Sequence, residues 1–358
     1  MKKTKLSLLL FSSLLLADDY SFDIDEFETI EVKNYNYSGY LKAIYKNQQP
    51  NNTHNYYGEG LVDLNYIKDD YKLTSQFIAN YKNIDKKEDD TQTINQLFLN
   101  YKLDDNHQLN IGKISSRWGK GYFFNPVGFI DRKKDPYNPE ASKEGYVLLN
   151  YRYNKTYQNS SLKNLTFDLT YLPTRGDNDL DDKDSNNIAF KLYTLLYDID
   201  IDLIYIYNDR YQNKLGVDFS ANIQTNFELH GEYARYDDHF YSYLFGLKYL
   251  TDFELTITSE YFYQDKTLAK TEPFWDNRYF VNKLLLKEPF DILYSSIYLK
   301  SNLNIKDNSH QMSLGGIYNF KNSIDLDISV GKNFGDEKSE YGMKKADQFF
   351  SCELKWSF

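Results

Sequence analysis

The chain has 358 residues, with 35 Tyr, 24 Phe, seven Pro and a single Cys, and 52 acidic against 42 basic side chains give a formal charge of -10. One cysteine, Cys352, excludes an internal disulfide scaffold, and an acidic chain with no basic patch or recognition motif excludes a nucleic-acid binder. Abundant aromatics with few prolines favour long pleated strands, because proline removes a ladder donor while Tyr and Phe suit strand faces.

Residues 1–17 read as a signal peptide. Lys2, Lys3 and Lys5 form a basic start, Leu6–Leu16 is a short apolar run, and Ala17 precedes the Asp18-Asp19 pair. The run is too short for a membrane helix, and no later segment reaches the roughly 20 apolar residues such a helix needs. Residues 18–35 form a short acidic stretch, assigned as a periplasmic extension.

From residue 36 onward the dominant signal is alternation with a period of two, which places residues two apart on one strand face. Tyr71, Leu73, Phe77, Ala79 and Tyr81 alternate with Lys72, Thr74, Gln76, Asn80 and Lys82. Leu165, Phe167, Leu169 and Tyr171 alternate with Thr166, Asp168 and Thr170. Ile199, Ile201, Leu203, Tyr205 and Tyr207 oppose Asp198, Asp200 and Asp202. Leu215, Val217, Phe219, Ala221 and Ile223 form another such face, and Ile324, Leu326, Ile328 and Val330 a further one. Each run is about ten residues long, the length a tilted strand needs to cross a bilayer. Turn clusters such as Lys68-Asp69-Asp70, Asp104-Asp105-Asn106 and Thr251-Asp252 separate the runs.

The pattern predicts an all-β fold, a transmembrane antiparallel up-and-down β-barrel over 36–358. Bacterial barrels carry an even number of strands, with short turns on one side and longer loops on the other. The long gaps then fall on one side only if Arg278–Leu286 hides an additional strand. This gives about 18 strands, with 16 as the other count. Loops are expected near 47–55, 83–91, 117–145, 173–186, 264–277, 302–308 and 334–346, with two shorter ones. Inward charges would include Lys42, Lys72, Lys82, Asp168, Asp218, Glu254, Glu260 and Asp325.

The final strand presents Phe350, Cys352, Leu354, Trp356 and Phe358 on one face. This ending resembles the assembly signal of Gram-negative outer-membrane barrels, which implies the barrel assembly machinery as a partner. The segment Gly112–Gly145 interrupts the alternation with Gly, Pro, Trp and charge: Trp118-Gly119-Lys120-Gly121, then Asn125-Pro126, then Lys134-Asp135-Pro136. It resembles a segment found in a poorly characterised group of porin-like Gram-negative outer-membrane barrels, covering about a tenth of the chain. The resemblance implies the barrel class and no particular solute.

Two roles suit this segment: packing at the rim, for which Gly and Pro supply tight turns, or dipping inward to narrow the pore. For the second role the candidate constriction residues are Arg117, Lys120, Asp131, Arg132, Lys133, Lys134 and Asp135. Asp177, Asp179 and Asp181 resemble the start of a calcium loop but lack its glycine and distal glutamate, leaving weak cation candidates in a solvated loop. The five histidines show no metal-ligand spacing, and no catalytic constellation or cofactor is indicated. His230 and His239 flank Asp237 and Asp238, and Ser313 follows His310, without a defining motif.

The expected function is a porin-like channel for small hydrophilic solutes or ions in the outer membrane of a Gram-negative bacterium. Lipid and lipopolysaccharide would surround it, with a homotrimer as one arrangement. An acidic chain argues for mild cation preference. The alternative is a non-conducting barrel serving as surface receptor, adhesin or assembly and export factor.

Overall fold

The computed structural model describes residues 34–50, 52–176, 178–180, 184–237, 240–265, 277–344 and 347–358. The signal-peptide assignment (1–17), most of the 18–35 extension, Asp177, Asp181, Asp238 and His239 lie outside these residues.

The alternating segments form eighteen strands. They are β1 (Tyr35–Gln49), β2 (Thr53–Lys68), β3 (Tyr71–Ile84), β4 (Lys87–Lys102), β5 (His107–Ile114) and β6 (Tyr146–Thr156). Then come β7 (Leu162–Thr174), β8 (Ser185–Leu196), β9 (Ile199–Asn208), β10 (Lys214–Gln224), β11 (Phe227–Tyr236) and β12 (Tyr241–Leu250). The last six are β13 (Leu255–Gln264), β14 (Arg278–Lys287), β15 (Ser295–Asn304), β16 (Ser309–Phe320), β17 (Ile324–Phe334) and β18 (Gln348–Ser357). Each pairs antiparallel with its sequence neighbours, and β1 pairs with β18 from Tyr40↔Ser357 to Gln49↔Gln348, so the sheet closes on itself. Among the described residues the only helical element is a single 3-10 turn, Pro289–Asp291. The strand that parity demanded at 278–286 is β14.

Two expected loops are much shorter than the sequence implied. Segments 47–55 and 83–91 are largely strand, because β1–β2 stay paired out to Gln48↔Thr53 and β3–β4 out to Ile84↔Lys87. Polar residues such as Lys82, Asn83, Glu88 and Asp89 stay in the ladder because cross-strand backbone bonds need no apolar face outside the membrane band. Glu254, expected inside, sits instead in the 251–254 turn with φ 63°.

Alternation sorts the two faces. On β9, Leu203 is 52% exposed while Ile204 is 1% exposed. Leu41, Leu64, Leu149, Tyr171, Leu215, Phe245, Leu314 and Leu354 likewise project outward from their strands. They form the apolar band that a bilayer covers.

The inner face is divided. On β6 to β14 it is sealed, with Leu148, Ala189, Ile206, Ala234, Leu244, Phe262 and Val281 all buried. On β17, β18 and β1 no residue is buried on either face.

Candidate functional site

What seals half the lumen is the loop between β5 and β6, residues 115–145. It docks through two apolar clusters. Trp118, Val127, Phe129 and Ile130 pack on Leu148, Leu172, Ala189, Ile204, Ile206 and Ala234. Phe123 and Phe124 pack on Leu244, Phe262, Tyr279 and Val281, with Phe124 stacked on Phe262 at 4.3 Å between ring centroids. Burying each such side chain stabilises by roughly 1.5–3 kcal/mol, so the docked loop is held firmly on the wall.

A loop at this depth must satisfy its own backbone. Two buried wall carboxylates do so. Glu232 of β11 accepts the amides of Lys120 (2.7 Å), Gly121 (2.7 Å) and Val127 (3.1 Å). Glu260 of β13 accepts the amides of Tyr122, Phe123 (3.0 Å) and Phe124 (3.3 Å). His230 bridges at 3.0 Å to Glu260 and at 3.4 Å to Glu228, which also accepts the Tyr122 hydroxyl at 3.0 Å. The glycines of the Trp-Gly-Lys-Gly turn permit this approach. A Cβ on Gly119, where φ is +98°, would lie 2.6 Å from a Glu232 oxygen, and one on Gly121 would lie 2.4 Å from the Phe124 carbonyl.

The constriction candidates take different places. Asp131 is buried and accepts the amides of Arg117 and Trp118, both at 2.6 Å. Burial pushes its carboxyl above the ordinary range, against those two N–H groups and the Lys143 charge. Lys120 reaches Asp202 of β9 at 3.3 Å, and Lys191 meets the same carboxylate at 3.2 Å. Arg132 pairs with Asp179 at 2.6 Å and Glu144 at 3.8 Å, tying this loop to the one after β7. Asp179, a weak cation candidate, therefore has a guanidinium partner. Lys134 donates to the Gly121 carbonyl within the loop. Arg117, Lys133 and Asp135 are exposed. Among the described residues no group of three or more His, Cys, Asp or Glu is placed to hold a metal.

The return limb crosses the lumen. Tyr137 accepts at its carbonyl from Lys300 of β15 at 2.9 Å, and Glu140 lies 3.7 Å from Lys283 of β14. Farther on, Ser142 bonds Asn95 of β4 (3.0 Å) and Gln76 of β3 (2.5 Å). The loop between β17 and β18 meets this limb. Glu340 accepts from Tyr279 and Asn304, each at 2.9 Å, and the Tyr137 hydroxyl donates to that of Tyr341 at 2.7 Å. Burial raises the Glu340 carboxyl and depresses the Lys344 ammonium.

Sequence reasoning singled out the loop but not its receptors. Glu232 and Glu228 alternate with apolar residues like any lumen charge, and only the fold brings loop amides to Glu232. The extra apolar residues on the inner face were the available signal: Ile204 and Ile206 make β9 greasy on both sides, which a simply wet lumen does not require.

No protein-family model and no curated protein sequence matches this chain. Solved structures do. Pseudomonas aeruginosa OccK5 (OpdH) superposes with a TM-score of 0.58 at 10% identity, covering 91% of this chain and 98% of that one. Escherichia coli Wzi, an outer-membrane protein involved in group 1 capsule assembly and described as a carbohydrate-binding β-barrel, gives 0.58 at 10% identity, covering 91% and 85%. A triple mutant of the Rhodopseudomonas blastica porin gives 0.53 at 11% identity, covering 90% and 100%. The chain thus has the porin-like fold of Gram-negative outer-membrane barrels, an 18-stranded closed antiparallel sheet.

Proposed function

We propose that the protein is an outer-membrane channel for small hydrophilic solutes or ions, with its water path off-centre along β17, β18 and β1. The observation that carries this reading is the absence of any buried residue on those three strands. Their outward side chains meet lipid, so their inward ones must meet water. Inward groups there include Lys42, which pairs with Glu59 at 2.8 Å, and Asp327, which accepts the Tyr298 hydroxyl of β15, two strands away, at 3.0 Å. The loop at 115–145 takes the role of an inward-folded constriction, with Arg117, Lys133 and Asp135 as its solvent-facing charges. Refolded protein in a planar bilayer is expected to give discrete conductance steps; a bilayer that stays at the lipid background would overturn the channel.

A second reading is favoured by the Tyr137–Tyr341 bridge, which joins two loops over the lumen, and by the likeness in fold to Wzi. In it the barrel does not conduct and holds a ligand at its loop rim. The same bilayer measurement separates the two.

In either case the final strand, with Phe350, Leu354, Trp356 and Phe358, is proposed as the element read by the barrel assembly machinery. Lipopolysaccharide is proposed to surround the loop rim, and a homotrimer is the oligomer to look for by native mass spectrometry in detergent.

A further inference from the structure

The barrel wall steps down between two neighbouring strands. On the loop side β4 reaches out to Lys87, whereas β5 stops at Ile114. Their shared ladder covers only Leu97↔Lys113 to Lys102↔Gln108, while β4 stays paired with β3 out to Ile84↔Lys87. The end of the β5–β6 loop covers the step itself: the Gly145 amide donates to the Asn95 carbonyl at 2.9 Å, and Ser142 accepts from the Asn95 side chain at 3.0 Å. Beyond Asn95 the cover ends. From Lys87 to Ile94 no backbone group on that side has a partner among the described residues, and every side chain but that of Thr93 is exposed. In an antiparallel ladder every second residue turns its N–H and C=O away from the strand it pairs with. This stretch is therefore an open sheet edge standing in water.

Register sorts the side chains of the edge. Lys87, Asp89, Thr91 and Thr93 share a face with Lys82 and Ile78, and Asp89 lies directly opposite Lys82. Glu88, Asp90, Gln92 and Ile94 share the other face, with Tyr81 and Phe77. There Glu88 lies opposite Asn83, whose side-chain amide it accepts at 3.5 Å, and Asp90 lies opposite Tyr81. Neither carboxylate has an ion-pair partner among the described residues. The remaining charges of the hairpin, Lys82, Asp85, Lys86 and Lys87, lie on the opposite face or in the turn. Acidic groups on an edge discourage accidental pairing with neutral or acidic strands, and the same groups admit a basic one.

We propose that the free edge of β4, residues 87–94, takes an extended basic segment of another polypeptide as an added strand. Main-chain bonds to the open N–H and C=O groups supply the affinity, and lysine or arginine at alternate positions, set against Glu88 and Asp90, supplies the selectivity. A second copy of this chain fits the edge less well, because pairing along the whole stretch crowds both sets of Glu88, Asp89 and Asp90 around one axis. The β3–β4 turn lies on the long-loop side, which such barrels present to the cell exterior, so the partner is met outside the cell. The inference goes beyond the channel and receptor readings and depends on neither.

The test titrates the refolded full chain in detergent with a peptide of about ten residues, alternating lysine and threonine, and follows amide hydrogen exchange by mass spectrometry. Binding is expected to slow exchange across residues 87–94. In the Glu88→Gln/Asp90→Asn double variant, whose changes fall on exposed positions, the affinity should drop about fivefold. A peptide of the same length and lysine content, but with proline at every third position, cannot present a continuous strand edge and should give no protection. The proposal is overturned by an absence of binding, by protection confined to residues outside 87–94, by equal protection from the proline peptide, or by an unchanged affinity in the double variant. Protection of 87–94 that grows with barrel concentration when no peptide is present assigns the edge to a second copy of the chain and overturns it as well.

Discussion

Glu232 shows how one side chain can hold a loop in place. It receives three amide donors from residues 120–127 in a setting with almost no water. Glu232→Ala leaves those donors unpaired and should cost about 3 kcal/mol or more. The check is limited trypsin digestion in detergent: cleavage after Lys120 or Lys133 should be slow in the wild type and fast in the variant. Lys143 offers a pH-dependent counterpart. Burial pushes its ammonium down to about 8 from 10.5, although it donates to the Arg132 carbonyl at 3.0 Å. Between those two values the unfolded chain holds a proton that the folded chain releases. Stability contributed through Lys143 therefore rises with pH across that window. The unfolding midpoint of the wild type relative to Lys143→Met should increase from pH 7 to pH 10; a flat or falling difference contradicts the assignment. Neither residue announced itself in the sequence. Glu232 looks like any lumen-facing charge, and nothing near Lys143 marks it as half-buried, because the covering comes from chain more than a hundred residues away in one case and from a folded-back limb in the other.

The elements were more legible than the residues. Alternation located the β7, β9, β10 and β17 faces directly, and parity alone required a strand at 278–286, where alternation is weak. The β3–β4 hairpin was misread because its upper half is polar on both sides, and hydropathy carries no information about a ladder outside the membrane. Its turn residues, Asp85 and Lys86, both sit in the left-handed region, with φ 50° and 65°. That geometry, positive at both central positions, favours Asn-Gly. The Asp85→Asn/Lys86→Gly double substitution should stabilise the refolded barrel by about 1 kcal/mol, read as a higher denaturation midpoint. A lower midpoint would show that the turn tolerates its present residues for another reason.

At the scale of the whole molecule the barrel is packed on one side of its lumen, while on the other, along β17, β18 and β1, no residue is buried. Its closed sheet could be read from the chain, since period-two rhythm and an even strand count leave few alternatives. The division of the lumen could not, because it depends on which loop aromatics meet which wall residues: Phe124 with Phe262, and Val127 and Phe129 with Ile204 and Ala234. The architecture makes a clear forecast. Replacing residues 119–141 with a short Gly-Ser linker should raise single-channel conductance several-fold, because the filled half of the bore opens. Conductance that stays constant would mean that the path already bypasses the loop without being narrowed by it.

The seam between β1 and β18 has a consequence for biogenesis. Gly39 and Phe358 exchange both backbone hydrogen bonds, N to O at 2.9 Å and 3.0 Å, so the ring is completed by a contact between chain segments more than 300 residues apart. Until that last strand arrives, every partly made form has two raw sheet edges and a greasy outer skin, open to pairing with other chains. Zipping of the final hairpin onto the first strand is the step that ends this exposure, since it leaves no strand of the ring without two neighbours.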